Sequence, residues 1–569
     1  MTEPGNLRVL VLLAVVAAVV GFAYQGTRGL WASTEARYAE CAREMLETGR
    51  WLEPTLDYQP HWTKPPPSYW ALAGGMALLG RNEWGLRLAA AVAFVLTVLA
   101  VALLGAAMWD ARAGLVAGLI YVTSPFAVAG GNVISTDAFL TLWFVLTILC
   151  YWRAVRAASQ RAQALWVAVM WLCAGLGFGI KGPVALLAFL PILVFQLVLK
   201  RRGRARPRLF SPLGIPLFLV VSLWWYLWVV LTHEGMLGHF LGYEVLGRVA
   251  TSEAGRDYNP FTTYLPVLAF GALPWVFWWL PVWRNRRLWP RLVEAVGSSR
   301  REAAGGPLRF CRAAFKRLVA WIGCWDEGLL FSALWLLPPL AVFFVARSRL
   351  PLYVLPLFPA VVLATAYVFV WYHGDRLLLR RGSTSSPPPS TRLGTVSLSN
   401  RRAASRGCLV LALCLAVVIV AAKGFISHLP STYDVRLPLA GPGAPGLART
   451  LSTGDLKPVA LAALRQDDGD TGFLLADRRE SYALQFYLDG RVERFSTSDE
   501  PWARRPLAAV MHELASAPRH RRYVIIARVG NAALARVLDC VGLARAVAPA
   551  AGNYELLIVE RRPAAASRV

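Results

Sequence analysis

The sequence predicts an α-helical polytopic membrane protein with about eleven or more transmembrane helices, followed by a small soluble C-terminal α/β domain. Three observations predict it. The 569 residues are 56% hydrophobic and 17% charged, with mean hydropathy +0.46, whereas soluble domains carry ~25% charge. Many apolar runs reach the ~18 residues needed to cross a hydrocarbon core, and lipid offers the backbone no partners, so such runs must be helices. Basic residues gather in every second connection, "RAVRAASQRAQ" and "KRRGRARPRLF" among them, as the positive-inside rule requires.

The spans fall, in order, near 8–25, 85–108, 113–130, 138–155, 164–180, 183–200, 212–232, 262–283, 327–346, 351–372 and 407–424. The first apolar run reads as a retained helix, because no small-residue cleavage site follows it. The basic connections put the N-terminus in the cytoplasm and the C-terminal part outside the inner (plasma) membrane. They also explain the net charge of +26 without nucleic acid as a partner. The basic loop around 284–326 is expected to lie on an anionic inner leaflet. "GSTSSPPPSTR" reads as a linker.

After about residue 425 the pattern changes. "YALQFYLDG", "RRYVIIARV" and "YELLIVERR" alternate like strands. "RRPLAAVMHELASA" and "NAALARVLDCVGLARAV" have helical spacing. Residues 1–425 are therefore expected to form the membrane domain and 426–569 an extracytoplasmic (periplasmic) α/β domain. Of the eight cysteines, Cys150, Cys173, Cys408 and Cys414 fall in or beside apolar runs, and no CxxC pair occurs, so no disulfide framework is expected.

The outward connections hold the candidate chemistry. The first carries "WASTEARYAECAREMLETGRW" and "YQPHWTKPPPSYW"; later ones carry "GGNVISTDAF", "GFGIKGPVAL", the stretch with Glu244 and Arg248, and "ARSRLPLY". Clustered, these tips would bring Glu35, Arg37, Lys64, Asp137, Lys181, Glu244, Arg248 and Arg349 to one cavity at the outer boundary. Cations there suit a phosphate. Carboxylates suit acid–base or metal work. Each residue has a plainer reading: Arg37 as a solvated helix partner, Lys64 as a headgroup contact, Asp137 as a helix cap, and Lys181 as a bare turn charge. His233 and His239 lack a clear third ligand, which speaks against a histidine metal site. No cofactor is specified, and a divalent metal stays open.

Taken in order, "TEARYAECAREMLETGRWLEPTLDYQPHWTKPPPSYW", "STDAFLTLWF", "GFGIKGPVALL" and "RLPLYVLPLFPAVVL" resemble the bacterial protein O-mannosyltransferase superfamily, which includes the lipid A aminoarabinose transferases. The resemblance covers most of the first 370 residues. It implies a GT-C fold and a glycosyltransferase. The donor would be a polyprenyl-phosphate-linked sugar, and the acceptor lipid A, another envelope glycolipid, a polysaccharide or a protein. In that family the first loop reads Asp-Glu-x-Arg-Tyr-Ala-Glu; Glu35, Arg37, Tyr38 and Glu40 match, but Thr34 replaces the leading Asp. Lys64 matches the next motif, with Thr63 in place of its acidic residue. Val245 follows Glu244 where many relatives have His. The resemblance puts Lys181 and Arg349 near the lipid phosphate and Asp137 at a second acidic position. Glu35 and Asp137 are thus the catalytic candidates. Arg37, Tyr38, Lys64, Lys181, Glu244, Arg248 and Arg349 are the substrate-binding candidates. A polyprenyl-lipid flippase and a non-catalytic lipid-phosphate binder are the alternative readings.

Overall fold

The computed structural model describes residues 4–30, 34–247, 258–280, 325–371, 398–428, 456–476, 482–496, 505–516, 519–528, 545–549 and 554–560. They form two compact units. The first comprises residues 1–23, 63–68 and 90–423; the second comprises 24–62, 69–89 and 424–569.

Among the described residues, six helical segments are long and apolar enough to cross a membrane, seven if one bent pair is a single span. This is a multi-pass membrane protein. The segments are Glu83–Met108, Thr136–Val155, Gln160–Arg201, Gly214–Thr232, Glu327–Val345 and Pro351–Val370. The expected spans 164–180 and 183–200 form one helical run, tightened between Gly182 and Ala188. The span expected at 113–130 is the bent pair, Ala111–Val122 and Pro125–Asn132, with 62° between them. Pro125 explains the break, since it cannot supply the N–H that would continue the first helix. Shorter apolar helices cover Leu10–Phe22, Pro260–Phe270 and Leu409–Gly424, where three further spans were expected. The helix Pro67–Leu79 lies in what reads from sequence as a loop. The expected interfacial loop around 284–326 and the linker "GSTSSPPPSTR" fall largely or wholly outside the described residues.

In the first unit, polar side chains fasten helices whose outer faces are apolar. Asp110 accepts from the amides of Arg112 and Ala113 and so caps the following helix. The Trp109 indole donates to Asp326 at 2.7 Å, and Asp326 caps Glu327–Val345. The Trp275 indole donates to the Thr123 hydroxyl beside the bend. Tyr151, Trp152, Phe195 and Phe331 pack with ring centroids 5.2–6.4 Å apart. Edge-on and tilted rings of this kind supply the close van der Waals contact that holds helices together in lipid.

The second unit is built on a six-stranded sheet. Its strands are β3 (Thr471–Ala476), β4 (Val492–Ser496), β5 (Arg505–Pro506), β6 (Arg522–Arg528), β7 (Arg545–Pro549) and β8 (Tyr554–Glu560), ordered β5-β4-β3-β6-β8-β7. A short hairpin, β1 (Thr55–Leu56) and β2 (Gln59–Pro60), lies earlier in the chain. β3 pairs in parallel with β4 and β6, and β8 is antiparallel to β6 and β7. The expected strands "RRYVIIARV" and "YELLIVERR" are β6 and β8, and the helix Leu507–Ser516 lies where one was expected. "YALQFYLDG" is corrected: Tyr482–Tyr487 is a helix. Its five consecutive buried residues, Tyr482 to Phe486, fit one short helix packed on several sides, and the alternation of Leu484, Phe486 and Leu488 misled. Most of "NAALARVLDCVGLARAV" lies outside the described residues; its last three residues open β7.

Candidate active site

The first unit brings three of the candidate residues into one neighbourhood. Asp137 is in the first turn of Thr136–Val155, behind the N-cap Ser135. Lys181 is in the last turn of Gln160–Lys181. Each charge therefore sits at the helix end whose dipole favours it. The two side chains form an ion pair, with 6% and 10% of their surface exposed. Gly182 fixes the turn that presents Lys181. Its backbone, φ 68° and ψ −145°, lies in a region that is essentially reserved for glycine.

The Lys181 ammonium also lies 4.4 Å from the Tyr353 ring centroid, within cation–π range. Tyr353 belongs to the turn Pro351–Leu357 that follows "ARSRL". Arg349 is buried in the same connection. Its two Nη groups donate to the carbonyls of Tyr258, at 2.7 Å, and Phe344, at 3.1 Å. Tyr264 stands within electrostatic reach of Asp137, Arg349 and Tyr353. Sequence reasoning passed over Tyr264 and Tyr353, because tyrosines in apolar runs read as packing residues. Lys64, in the same unit, donates to the Thr63 carbonyl at 2.7 Å. Glu244 falls in the helical segment His239–Gly247; Arg248 lies outside the described residues.

The second unit holds the other candidates on the helix Thr34–Thr48. Four of its charged residues are not solvated: Glu35, Glu40, Arg43 and Glu44 are all buried. Glu35 takes two hydrogen bonds from Arg28, at 2.7 and 2.8 Å, and a third from Arg87 at 3.3 Å. Arg87 also donates to the carbonyls of Gln25, Arg28 and Gly29. An arginine inside an apolar run, as Arg87 is, was a signal in the sequence that pointed to a buried carboxylate partner. Arg37 is half-buried, its guanidinium 6.0 Å from the Tyr38 ring centroid, and Tyr38 lies 5.6 Å from Tyr69.

On the same helix, Arg43 donates to both Glu40 oxygens, at 3.0 and 2.8 Å, to Tyr58 at 3.2 Å, and to Glu47. Burial pushes the Glu40 carboxyl up to about 7, against the pull of Arg43, and pushes the Cys41 thiol up as well. Glu83 accepts from Lys457 and from the Tyr487 hydroxyl, and that hydroxyl accepts from the Leu30 amide at 2.9 Å. Asp57 pairs with Arg494. The first connection and the C-terminal sheet domain are thus tied by charge within one unit. Among the described residues, no three His, Cys, Asp or Glu side chains are grouped to hold a metal.

Fold and loop geometry together define a polytopic membrane protein with chemistry-bearing residues on the connections between its spans. Residues 6–235 match the family described as dolichyl-phosphate-mannose-protein mannosyltransferase. The chain is 32% identical over 359 residues to undecaprenyl phosphate-alpha-4-amino-4-deoxy-L-arabinose arabinosyl transferase 2 of Pseudomonas fluorescens (strain Pf0-1), covering 63% of this chain and 58% of that one. It is 32% identical over 330 residues to the arabinosyl transferase of Pseudomonas aeruginosa (strain PAO1), covering 58% and 53%. The chain therefore spans somewhat over half the length of these curated relatives. Its fold matches that of ArnT from Cupriavidus metallidurans bound to undecaprenyl phosphate, with TM-score 0.63, 20% identity and 98% of each chain covered. The chain is thus similar in sequence to these transferases over part of its length, and it shares the fold of the Cupriavidus metallidurans protein.

Proposed function

We propose that this protein is a membrane glycosyltransferase that moves a sugar from a polyprenyl-phosphate donor to an envelope acceptor at the outer face of the inner membrane. The observation that carries the reading is the buried Asp137–Lys181 pair, placed on connections whose motifs match those of the superfamily. A carboxylate that accepts a proton and a cation that meets a phosphate are the two elements that glycosyl transfer from a lipid phosphate needs.

The acceptor oxygen attacks the anomeric carbon and gives its proton to Asp137. The bond from that carbon to the phosphate oxygen breaks, and its electrons leave with the polyprenyl phosphate. Lys181 and Arg349 stabilise that growing negative charge, with Lys64 as a third cation. Lys181 is shared: it pairs with Asp137 and turns to the phosphate when donor arrives, which frees the carboxylate. Glu35 is already neutralised by Arg28 and Arg87, which favours Asp137 as the base. The superfamily's leading Asp is Thr34 here, and a hydroxyl is no base near neutral pH, so the role must fall elsewhere. The arabinosyl transferase relatives make an undecaprenyl-phosphate-linked aminopentose the first donor to try, and an envelope glycolipid the first acceptor. Mass spectrometry of envelope lipids and glycans from cells with and without the protein tests the reading. A sugar modification lost with the gene is expected; identical envelopes would count against it.

A further inference from the structure

We propose that the Tyr264 hydroxyl is a hydrogen-bond donor to the phosphate of the polyprenyl donor, an inference that rests on the donor reading above. Tyr264 is 0% exposed, and its hydroxyl has no hydrogen-bond partner among the described residues. A buried hydroxyl left in that state is destabilising, and in native proteins such groups usually meet a ligand, an ion or a water.

The surroundings say which ligand. The Tyr264 ring packs against Phe343 and Phe344, centroids 6.2 and 6.0 Å away, and Arg349 is tied to the Phe344 carbonyl. Asp137 and Arg349 are within electrostatic reach, and Lys181 pairs with Asp137. One carboxylate and two cations leave the neighbourhood with a surplus positive charge, which suits a phosphate oxygen as acceptor of the phenol O–H. The hydroxyl of Ser348, beside Arg349 in the chain, is buried and likewise has no partner among the described residues.

Tyr151 provides the contrast. Its hydroxyl is also unpartnered among the described residues, but its ring lies against Phe195 and Phe331, apart from the candidate charges. The Tyr264 hydroxyl differs in lying within electrostatic reach of Asp137 and Arg349.

The test compares undecaprenyl phosphate with the uncharged alcohol undecaprenol as probes, on full-length protein in nanodiscs. Tyr264→Phe is expected to weaken undecaprenyl phosphate binding about tenfold or more, the scale of a hydrogen bond to a charged group. Undecaprenol binding should not change, and Tyr151→Phe should alter neither. The unliganded Tyr264→Phe protein should melt no lower than wild type, because no internal hydrogen bond is removed. Equal phosphate affinity in Tyr264→Phe and wild type would overturn the proposal while leaving the donor reading intact. So would an equal loss for both probes, which would mean packing, or a lower unliganded Tm, which would mean an internal partner. A wild-type protein that does not prefer undecaprenyl phosphate to undecaprenol would overturn the donor reading itself, and the proposal with it.

Discussion

Replacing Asp137 by Asn should separate donor binding from chemistry, with opposite signs. In the structure Asp137 and Lys181 are mutual partners, both nearly buried. At an effective dielectric near 20, unit charges ~4 Å apart attract by about 4 kcal/mol, and desolvation offsets much of that. What Lys181 gives up when it turns to a phosphate is on the order of one hydrogen bond to a charged group, about 1.5–3 kcal/mol. D137N removes that competition. It should therefore bind a polyprenyl phosphate more tightly, by about tenfold or more, while turnover falls about 10²–10⁴-fold through loss of the base. K181A should do the reverse to binding. It should also destabilise the fold by about 3–5 kcal/mol, because Asp137 is left buried and unpaired. The D137N/K181M double variant, with both charges gone, should recover most of that stability. Lipid titration in nanodiscs and unfolding in mixed micelles measure the two effects. Unchanged donor affinity in D137N, with turnover near wild type, would refute the shared-lysine reasoning.

Two further outcomes follow from the geometry. Gly182→Ala should lower stability by about 1–3 kcal/mol, since an L side chain is strained at that backbone conformation. Its Cβ would also lie 2.9 Å from the Tyr226 hydroxyl; thermal melts and donor titration should show both a lower Tm and weaker binding as Lys181 is displaced. Glu40, raised from 4.5 to about 7 by burial, makes the second unit pH-sensitive. The folded state holds this proton more tightly than the unfolded chain, so the stabilisation is full below about pH 4.5 and is lost as pH rises through 7. Melts of the full-length protein between pH 5 and 8 should show that slope in wild type and a flatter one in E40Q; parallel slopes would remove Glu40 as its source.

The membrane class was legible because ~18 apolar residues in a row have few other uses. Span ends such as 136–155 against an expected 138–155 came close for the same reason. The break at Thr123–Ser124–Pro125 was less legible, since Pro125 lies inside a run whose hydropathy hides it. Tyr482–Tyr487 failed because six residues are too few to tell a period of 2 from one of 3.6. At the candidate site, Asp137, Lys181 and Arg349 were visible as charges on short connections between apolar runs. Their pairing was not: Asp137 and Lys181 are 44 residues apart, and nothing local links them. Nor was the burial of Glu35, which depends on Arg28 before it and Arg87 beyond another helix. Charge at helical spacing reads as solvated from sequence, and only tertiary packing shows Arg43 and Glu40 sealed against one another.

Turnover by the purified protein checks the proposed transfer of sugar from a lipid phosphate with Asp137 as base. Purified protein in nanodiscs is supplied with an undecaprenyl-phosphate-linked aminopentose and an envelope glycolipid, and mass spectrometry follows free undecaprenyl phosphate and modified acceptor. Wild type should yield equal amounts of both, and D137N about 10²–10⁴-fold less, with donor bound more tightly than by wild type. Equal turnover by D137N and wild type would contradict it, as would donor bound tightly by wild type but never consumed.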